Sequence, residues 1–257
     1  MPVPHPLRWS GTRRPSISAA RFKALEGADP TLHLEDVQYR WPGRVPFGLH
    51  VPDLSLAKSE TVLLLGESGS GKSTLLSLIC GTIVAGAGRV CVAGTDITAL
   101  SAAQRDGFRA EQIGLIFQQF NLLPFASVRD NILLPLRFAP QRRKRVADLA
   151  GEAHNLCVSL GLPEDIMLAR AGSLSVGQQQ RVAAARALIG TPPLIIADEP
   201  TSSLDAETQA TFLELLFAQS RAHGTTVLMV SHDARLSSQF DRVIHMADIA
   251  TSTRGTQ

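Results

Sequence analysis

The chain has 257 residues, 44% of them hydrophobic, which is enough to bury one substantial core, either as a single large domain or as a core with one inserted subdomain. Its 25 basic and 23 acidic side chains leave a formal charge of only +2, so the overall charge does not indicate a nucleic-acid-binding protein. The three cysteines, Cys80, Cys91 and Cys157, are widely spaced and form no metal-binding pair, which favours a reducing compartment.

The N-terminal segment is basic. Residues 1–23 contain five basic side chains and no acidic one, but they lack the apolar stretch of a secretory signal. We expect residues 1–30 to form a disordered, solvated tail, with a transit peptide or a lipid-binding arm as the alternatives. Farther along, every apolar run is much shorter than the roughly 20 residues that cross a bilayer, so no membrane span is predicted.

Short runs of strand character alternate with longer helical patterns. The strand runs are residues 32–39, 61–65, 89–92, 113–117, 194–197, 226–230 and 242–245. This alternation predicts an α/β domain with a mostly parallel sheet. Helical character dominates between residues 127 and 189, especially at 142–160 and 177–189, so we expect a helical subdomain at about 119–190, inserted into the α/β core.

A glycine-rich loop follows the apolar run at 61–65. It matches the pattern G-x-x-x-x-G-K-S and consists of Gly66, Glu67, Ser68, Gly69, Ser70, Gly71, Lys72, Ser73 and Thr74. Glycines let the backbone N–H groups face a phosphate, and a helix predicted at 72–80 points its positive dipole end at the same place. Lys72 is then placed for the β- and γ-phosphates and Ser73 for Mg²⁺. A chance Gly-Ser-rich loop is the alternative, which the strand before it and the helix after it disfavour.

Two adjacent acids end another apolar run, at 193–197. Asp198 is placed to hold Mg²⁺ through water, and Glu199 to orient or deprotonate the attacking water. Because Pro200 and Thr201 follow, the same pair could instead be acids at a helix N-terminus. The phosphate-binding loop elsewhere in the chain favours the catalytic interpretation.

The segment Leu174-Ser175-Val176-Gly177-Gln178 resembles the ABC signature, normally Leu-Ser-Gly-Gly-Gln, and over about residues 31–247 the chain resembles the nucleotide-binding subunits of ABC transporters. The resemblance implies a P-loop NTPase cassette with a RecA-like parallel core, an antiparallel β subdomain, an inserted helical subdomain and a C-terminal tail at 248–257. It also implies that Ser175, Gly177 and Gln178 face ATP bound by a second copy, so that a homodimer hydrolyses ATP. Val176 replaces a glycine. Because β-branched residues tolerate positive φ poorly, we expect ordinary helical or extended backbone there.

Further family positions correspond to single residues of this chain. Gln118, in Phe-Gln-Gln, matches the Q-loop glutamine that contacts Mg²⁺ and water, and Asp205, in Ser-Leu-Asp, matches the D-loop at the dimer interface. His232, in Ser-His-Asp, matches the switch histidine that contacts the γ-phosphate and positions the water. Strand alternation puts Tyr39 and Trp41 on one face. We assign adenine stacking to Trp41, because it directly precedes Pro-Gly as the family aromatic does.

Segments outside these motifs resemble one branch of the family, the lipoprotein-releasing and macrolide-exporting ATPases. They are residues 117–124, 131–136, 197–201 and 242–246. This implies a peripheral subunit on the cytoplasmic face of the inner membrane, with an integral membrane permease as partner and no nucleic acid. We expect segment 120–136 to contact the permease, with Leu122, Leu123 and Phe125 as contacts or as packing between subdomains. The basic run at 141–145 is predicted to be a solvated helix face rather than a lipid-headgroup site.

Two other functions remain open at this point. A soluble ABC ATPase acting on DNA or ribosomes is one, although the chain shows neither the long coiled-coil insertion nor the tandem cassettes usual there. A degenerate cassette that binds ATP as a structural switch is the other, and Val176 is its only support.

Overall fold

The computed structural model describes residues 29–41, 47–202 and 204–254. Most of the predicted basic tail at 1–30 therefore lies outside the described residues, as do Ser203 of the D-loop and the five residues after Trp41. The described part contains two sheets of five strands each. The strands are β1 (Leu32–Trp41), β2 (Phe47–Leu56), β3 (Thr61–Leu65), β4 (Ala87–Val92), β5 (Thr95–Asp96), β6 (Ile113–Ile116), β7 (Leu194–Asp198), β8 (Thr226–Ser231), β9 (Arg242–His245) and β10 (Thr251–Arg254).

The larger core is built on a parallel sheet with the order β6-β7-β8-β3-β9. All residues of β3 and β8 are buried, because both faces of a central parallel strand are covered and both need apolar side chains. The α/β class predicted from the alternating pattern is confirmed. Since all five strands run the same way, the residues that follow β3, β6, β7 and β8 meet at one edge of the sheet.

The second sheet is antiparallel, with the order β10-β2-β1-β4-β5. Strand β2 was not predicted, because Pro52 and Asp53 interrupt its apolar pattern and proline cannot donate to a ladder. In register, Pro52 lies opposite Asp36, whose φ of 48° marks the point where β1 shifts its register against β4. Strand β10 lies within the predicted C-terminal tail and pairs with β2.

The helices are α1 (Lys72–Ile79), α2 (Ala102–Gln112), α3 (Val128–Leu133), α4 (Pro140–Lys144), α5 (Leu149–Ser159), α6 (Val176–Leu188), α7 (Ala206–Ala222) and α8 (Met246–Ile249). Helices α3 to α6 lie between β6 and β7, where helical structure was predicted. The pattern at 142–160 is two helices instead of one, because the Asp148 side chain accepts a hydrogen bond from the Ala150 N–H at 3.0 Å and starts α5 anew. Among the described helices, none has the length and apolar character that a bilayer-spanning segment requires.

Arg142 corrects the prediction of a solvated face at 141–145. Its side chain is buried, while the other four residues of the run are exposed. The guanidinium donates to the carbonyls of Ile189 at 2.6 Å and Ala187 at 2.7 Å, at the end of α6, and over longer distances to those of Ala110 and Ile113. Burial lowers the pKa of Arg142 to about 10, so it remains a cation at neutral pH. Arg142 thus joins the end of α6 to the end of α2.

Candidate functional site

The phosphate-binding loop leaves the buried strand β3 and enters α1. Gly71 caps the helix with a φ of 103°, and a Cβ built there would lie 3.1 Å from the Phe47 ring, so the loop needs glycine at this position. The Lys72 ammonium donates to the carbonyls of Gly66 at 2.6 Å and Glu67 at 2.9 Å, which holds the loop closed on itself. The loop and the α1 N-terminus form a cradle of backbone N–H groups suited to an anion.

Two hydroxyls of the loop bear on whether a nucleotide fits. The Ser70 hydroxyl is buried and has no hydrogen-bond partner among the described residues, which leave this polar group unsatisfied. The Thr74 hydroxyl accepts a hydrogen bond from the Trp41 indole N–H at 3.0 Å. The Trp41 ring also packs edge-on against Tyr39, with centroids 5.2 Å apart, so the two aromatics share a face as predicted.

Asp198 and Glu199 stand where β7 ends. Burial raises the pKa of Asp198, and the neighbouring Glu199 carboxylate raises it further, whereas the Lys72 ammonium opposes both. Glu199 has a φ of 44°, a left-handed conformation that is costly for a residue with a side chain. Its N–H donates to the Val230 carbonyl of β8 at 2.9 Å, which anchors this strained position to the sheet.

His232 follows β8 and completes the acidic side of the site. Its Nδ1 lies 3.1 Å from Glu199 Oε2; the imidazole side chain is 65% exposed and the carboxylate 20%. Gln118 follows β6 and is exposed. The strand order β6-β7-β8-β3 therefore delivers Gln118, the two acids, His232 and the loop from four neighbouring strands.

These groups line one cavity of about 880 Å³. Its walls are Trp41, Phe47, Ser68, Gly69, Gly71, Lys72, Ser73, Thr74, Gln118, Asp198, Glu199 and His232. The wall thus combines aromatic side chains, the phosphate-binding loop, the two acids and the histidine. Phe47 was not among the predicted residues. Little in the sequence indicated that Phe47 would line the cavity, because this residue begins the unpredicted strand β2.

The signature residues lie at the start of α6. Ser175 caps the helix: its hydroxyl accepts from the Gln178 N–H at 3.3 Å, and the Gln178 side chain accepts from the Ser175 N–H at 3.0 Å. Val176 is the first residue of α6, so its backbone is helical, which is one of the conformations expected for it. Its side chain is 48% exposed. Ser175, Gly177 and Gln178 are not part of the cavity wall formed by the described residues of this chain.

Asp205 also lies away from the cavity wall. It caps α7, where its carboxylate accepts from the Thr208 N–H at 2.9 Å and from the Thr208 hydroxyl at 2.8 Å. These hydrogen bonds lower the pKa of Asp205. The structure thus brings together the loop, the acids, Gln118, His232 and Trp41, and leaves the signature and Asp205 elsewhere on the chain.

Comparisons with known proteins identify the family of this chain. Residues 49–202 match the family described as ABC transporter. The chain is 41% identical over 194 residues to the lipoprotein-releasing system ATP-binding protein LolD of Xanthomonas oryzae pv. oryzae, covering 76% of this chain and 78% of that protein. It is 40% identical to the macrolide export ATP-binding/permease protein MacB of Rhodopirellula baltica, covering 76% of this chain and 28% of that longer protein.

A solved structure shows the same fold. The dimeric structure of a post-hydrolysis state of the ATP-binding cassette MJ0796 bound to ADP and Pi is 33% identical, with a TM-score of 0.68 and coverage of 83% of this chain and 93% of that chain. The region matched to the family contains the phosphate-binding loop, Gln118, the signature and both acids. The chain therefore belongs to the ABC transporter family, as a subunit that binds and hydrolyses ATP.

Proposed function

We propose that two copies of this chain enclose two ATP molecules and drive a separate membrane permease of the lipoprotein-releasing or macrolide-exporting type. The observation that carries this proposal is the cavity of about 880 Å³, which unites a phosphate cradle, an aromatic wall and a carboxylate–imidazole pair. The first two features suit a nucleoside triphosphate, and the third suits hydrolysis.

The triphosphate has a set of donors from the loop. Residues 66–74 offer backbone N–H groups and the helix dipole. The buried hydroxyl of Ser70 has no partner in the described part of the chain, and a phosphate oxygen would supply one. Lys72 would exchange its loop carbonyls for the β- and γ-phosphates, which are the stronger acceptors for a cation. Trp41 lines the cavity, and the adenine would stack on its ring.

Mg²⁺ fits the donors beside the loop. Ser73, Gln118 and Asp198 would hold it with a hydroxyl, an amide oxygen and a carboxylate, which are the oxygen donors this ion prefers, with water completing the shell. When bound, the ion would neutralise phosphate charge. Burial and the neighbouring Glu199 raise the pKa of Asp198, and the Lys72 ammonium opposes them only in part, so a bound cation would favour the charged carboxylate.

Glu199 is placed to act on the attacking water. Its carboxylate is largely buried beside His232, and a carboxylate in that position can accept a proton or orient water toward a phosphate. His232 is more exposed and can reach the γ-phosphate while its Nδ1 keeps contact with Glu199. Glu199, whose backbone is left-handed, lines the cavity.

The position of the signature supports the proposed dimer. Ser175, Gly177 and Gln178 present a helix N-terminus away from this chain's own cavity, and such an N-terminus suits a phosphate bound by another copy. Asp205, exposed at the start of α7, would lie near the same interface. The MJ0796 cassette, which is similar over most of the chain, is dimeric in its solved structure.

The permease contact is supported by an apolar groove beside the Q-loop. The groove has a volume of about 530 Å³, and its walls include Phe117, Leu134, Pro135 and Phe138. Within segment 120–136, Phe125 is 75% exposed, whereas the nearby Leu122 packs against the core. A surface of this kind suits a helix of a membrane partner, which would place the chain on the cytoplasmic face of the inner membrane.

Glu199→Gln tests the site. The amide keeps the size of the side chain but cannot accept the proton, so we expect ATP binding to persist, hydrolysis to fall by at least about 100-fold, and a dimer to accumulate on ATP. Size-exclusion chromatography with ATP and a phosphate-release assay measure both effects. Glu214→Gln, an exposed glutamate on α7, is the matched control. If the Glu199 variant hydrolysed ATP normally and formed no dimer, the assignment would be wrong.

The partner is tested by extraction in mild detergent. We expect a membrane permease to co-purify with the chain, as the named relatives are transporter components. Recovery without any membrane partner, and with ribosomes or nucleic acid instead, would favour the soluble ABC ATPase.

A further inference from the structure

The buried face of α6 contacts two strained turns of the nucleotide site. One turn follows Gln118, and the other contains Glu199. We propose that Arg186 and Gln180, both on α6, are positioning residues that hold these turns in the shape the reaction needs. This inference rests on the roles proposed above for Gln118 and Glu199.

Arg186 holds the turn after Gln118. Its guanidinium donates to the carbonyl of Asn121 at 2.7 Å and to that of Phe120. Phe120 and Asn121 both have left-handed backbones, with φ of 58° and 49°; asparagine adopts this conformation readily, but it is costly for a bulky residue such as Phe120. A planar guanidinium can serve two successive carbonyls at once, whereas a lysine ammonium has no such fork.

The burial of Arg186 fits this role. The side chain is 8% exposed, and burial lowers the pKa of its guanidinium. A buried cation is tolerated only where polar groups replace its water, and here the two carbonyls of the turn do so. The turn and the arginine therefore depend on each other.

Gln180 holds the turn at Glu199. It is fully buried, and its amide donates to the Pro200 carbonyl at 3.0 Å, directly after the left-handed Glu199. Its other amide atom, Oε1, has no hydrogen-bond partner among the described residues. Keeping a half-satisfied amide in a core costs stability, so packing alone does not explain glutamine at this position.

The contacts of Gln180 and Arg186 give helix α6 a second function. Its N-terminus carries Ser175, Gly177 and Gln178, which in the proposed dimer face the nucleotide of the other copy. Its buried side sets the turns of this chain's own nucleotide site. A shift of α6 on closure of one site would therefore move Gln118 and Glu199 of the other.

Three full-length variants test the inference. Gln180→Met keeps the approximate shape of the side chain but removes the amide donor. Arg186→Lys keeps the positive charge but removes the planar guanidinium that serves two carbonyls. Arg142→Lys is the control. Arg142 is also a buried arginine hydrogen-bonded to the end of α6, but none of its side-chain hydrogen bonds to described residues reaches either turn. Hydrolysis of Mg²⁺-ATP, binding of a non-hydrolysed ATP analogue and the Mg²⁺ concentration at half-maximal rate are measured at a temperature where circular dichroism shows all variants folded.

We expect Gln180→Met and Arg186→Lys to lower kcat by at least about tenfold while analogue binding changes less than about threefold, and Arg186→Lys also to need more Mg²⁺. Arg142→Lys should keep kcat within about twofold. Normal kcat in either α6 variant overturns the role of that residue, and an equal loss in Arg142→Lys overturns both roles. Glu199→Gln distinguishes failure of this inference from failure of the proposed hydrolytic site. If Glu199→Gln abolishes hydrolysis while the α6 variants stay active, only the positioning role is wrong. If Glu199→Gln stays active, the proposed site itself is wrong.

Discussion

Replacing Arg142 by methionine removes a buried cation while keeping much of its apolar stem. Its two short hydrogen bonds serve the carbonyls of Ile189 and Ala187 at the end of α6. Leaving one buried carbonyl unpaired costs roughly 1–3 kcal/mol of folding stability, so leaving both unpaired costs about 2–6 kcal/mol. Part of this cost is offset because the variant no longer buries a charge. We expect the free energy of unfolding to fall by about 3 kcal/mol in total.

For a domain of this size, 1 kcal/mol corresponds to roughly 2–4 °C in melting temperature, so Arg142→Met should melt about 6–12 °C lower. Thermal unfolding followed by circular dichroism measures this. Arg143→Met is the matched control, because it changes the next, exposed residue of α4 and should alter stability by less than about 0.5 kcal/mol. If the two variants melted within about 2 °C of each other, the buried contacts of Arg142 would not stabilise the fold as argued.

Three further predictions concern the nucleotide site and the thiols. Lys72→Ala should weaken ATP binding by at least about tenfold in calorimetry, since bonds to charged groups contribute about 1.5–3 kcal/mol, while the exposed Lys58→Ala should bind normally. Trp41→Ala should lose about tenfold in affinity and Trp41→Phe less than about threefold, because the phenyl ring still stacks; equal losses would argue against stacking. Iodoacetamide at pH 8 should modify the partly exposed Cys91 before the buried Cys80, whose pKa burial raises to about 12; equally fast modification, followed by mass spectrometry, would contradict this order.

The parallel core was predictable because its strands are short apolar runs next to motif residues. Strands β3, β7 and β8 are buried almost throughout, and such runs need no partner to be recognised. Strands β2 and β10 were missed for a physical reason. Pro52 interrupts one of them, and the other, Thr251–Arg254, has no apolar alternation and is held by pairing with β2.

The residues of the site can also be divided into those that the local sequence predicts and those that depend on tertiary packing. Lys72, Asp198 and Glu199 lie at or after strand ends, within motifs that are local in sequence, so their roles could be predicted from the sequence alone. The contacts of Arg142 and Arg186 could not, because their acceptors are carbonyls 29 to 66 residues away. A basic residue on a helix has the same local pattern whether it faces water or fills the core, and only tertiary packing decides between them.

The position of β3 in its sheet has a consequence for synthesis of the chain. Both of its neighbours, β8 (Thr226–Ser231) and β9 (Arg242–His245), come from the far end of the domain. The ribosome therefore releases the phosphate-binding loop well before either strand that flanks β3 exists. A nascent or truncated chain that stops before residue 226 carries every residue of the loop, yet it lacks both strands that flank β3. ATP binding should accordingly begin only after β8 and β9 have been synthesised.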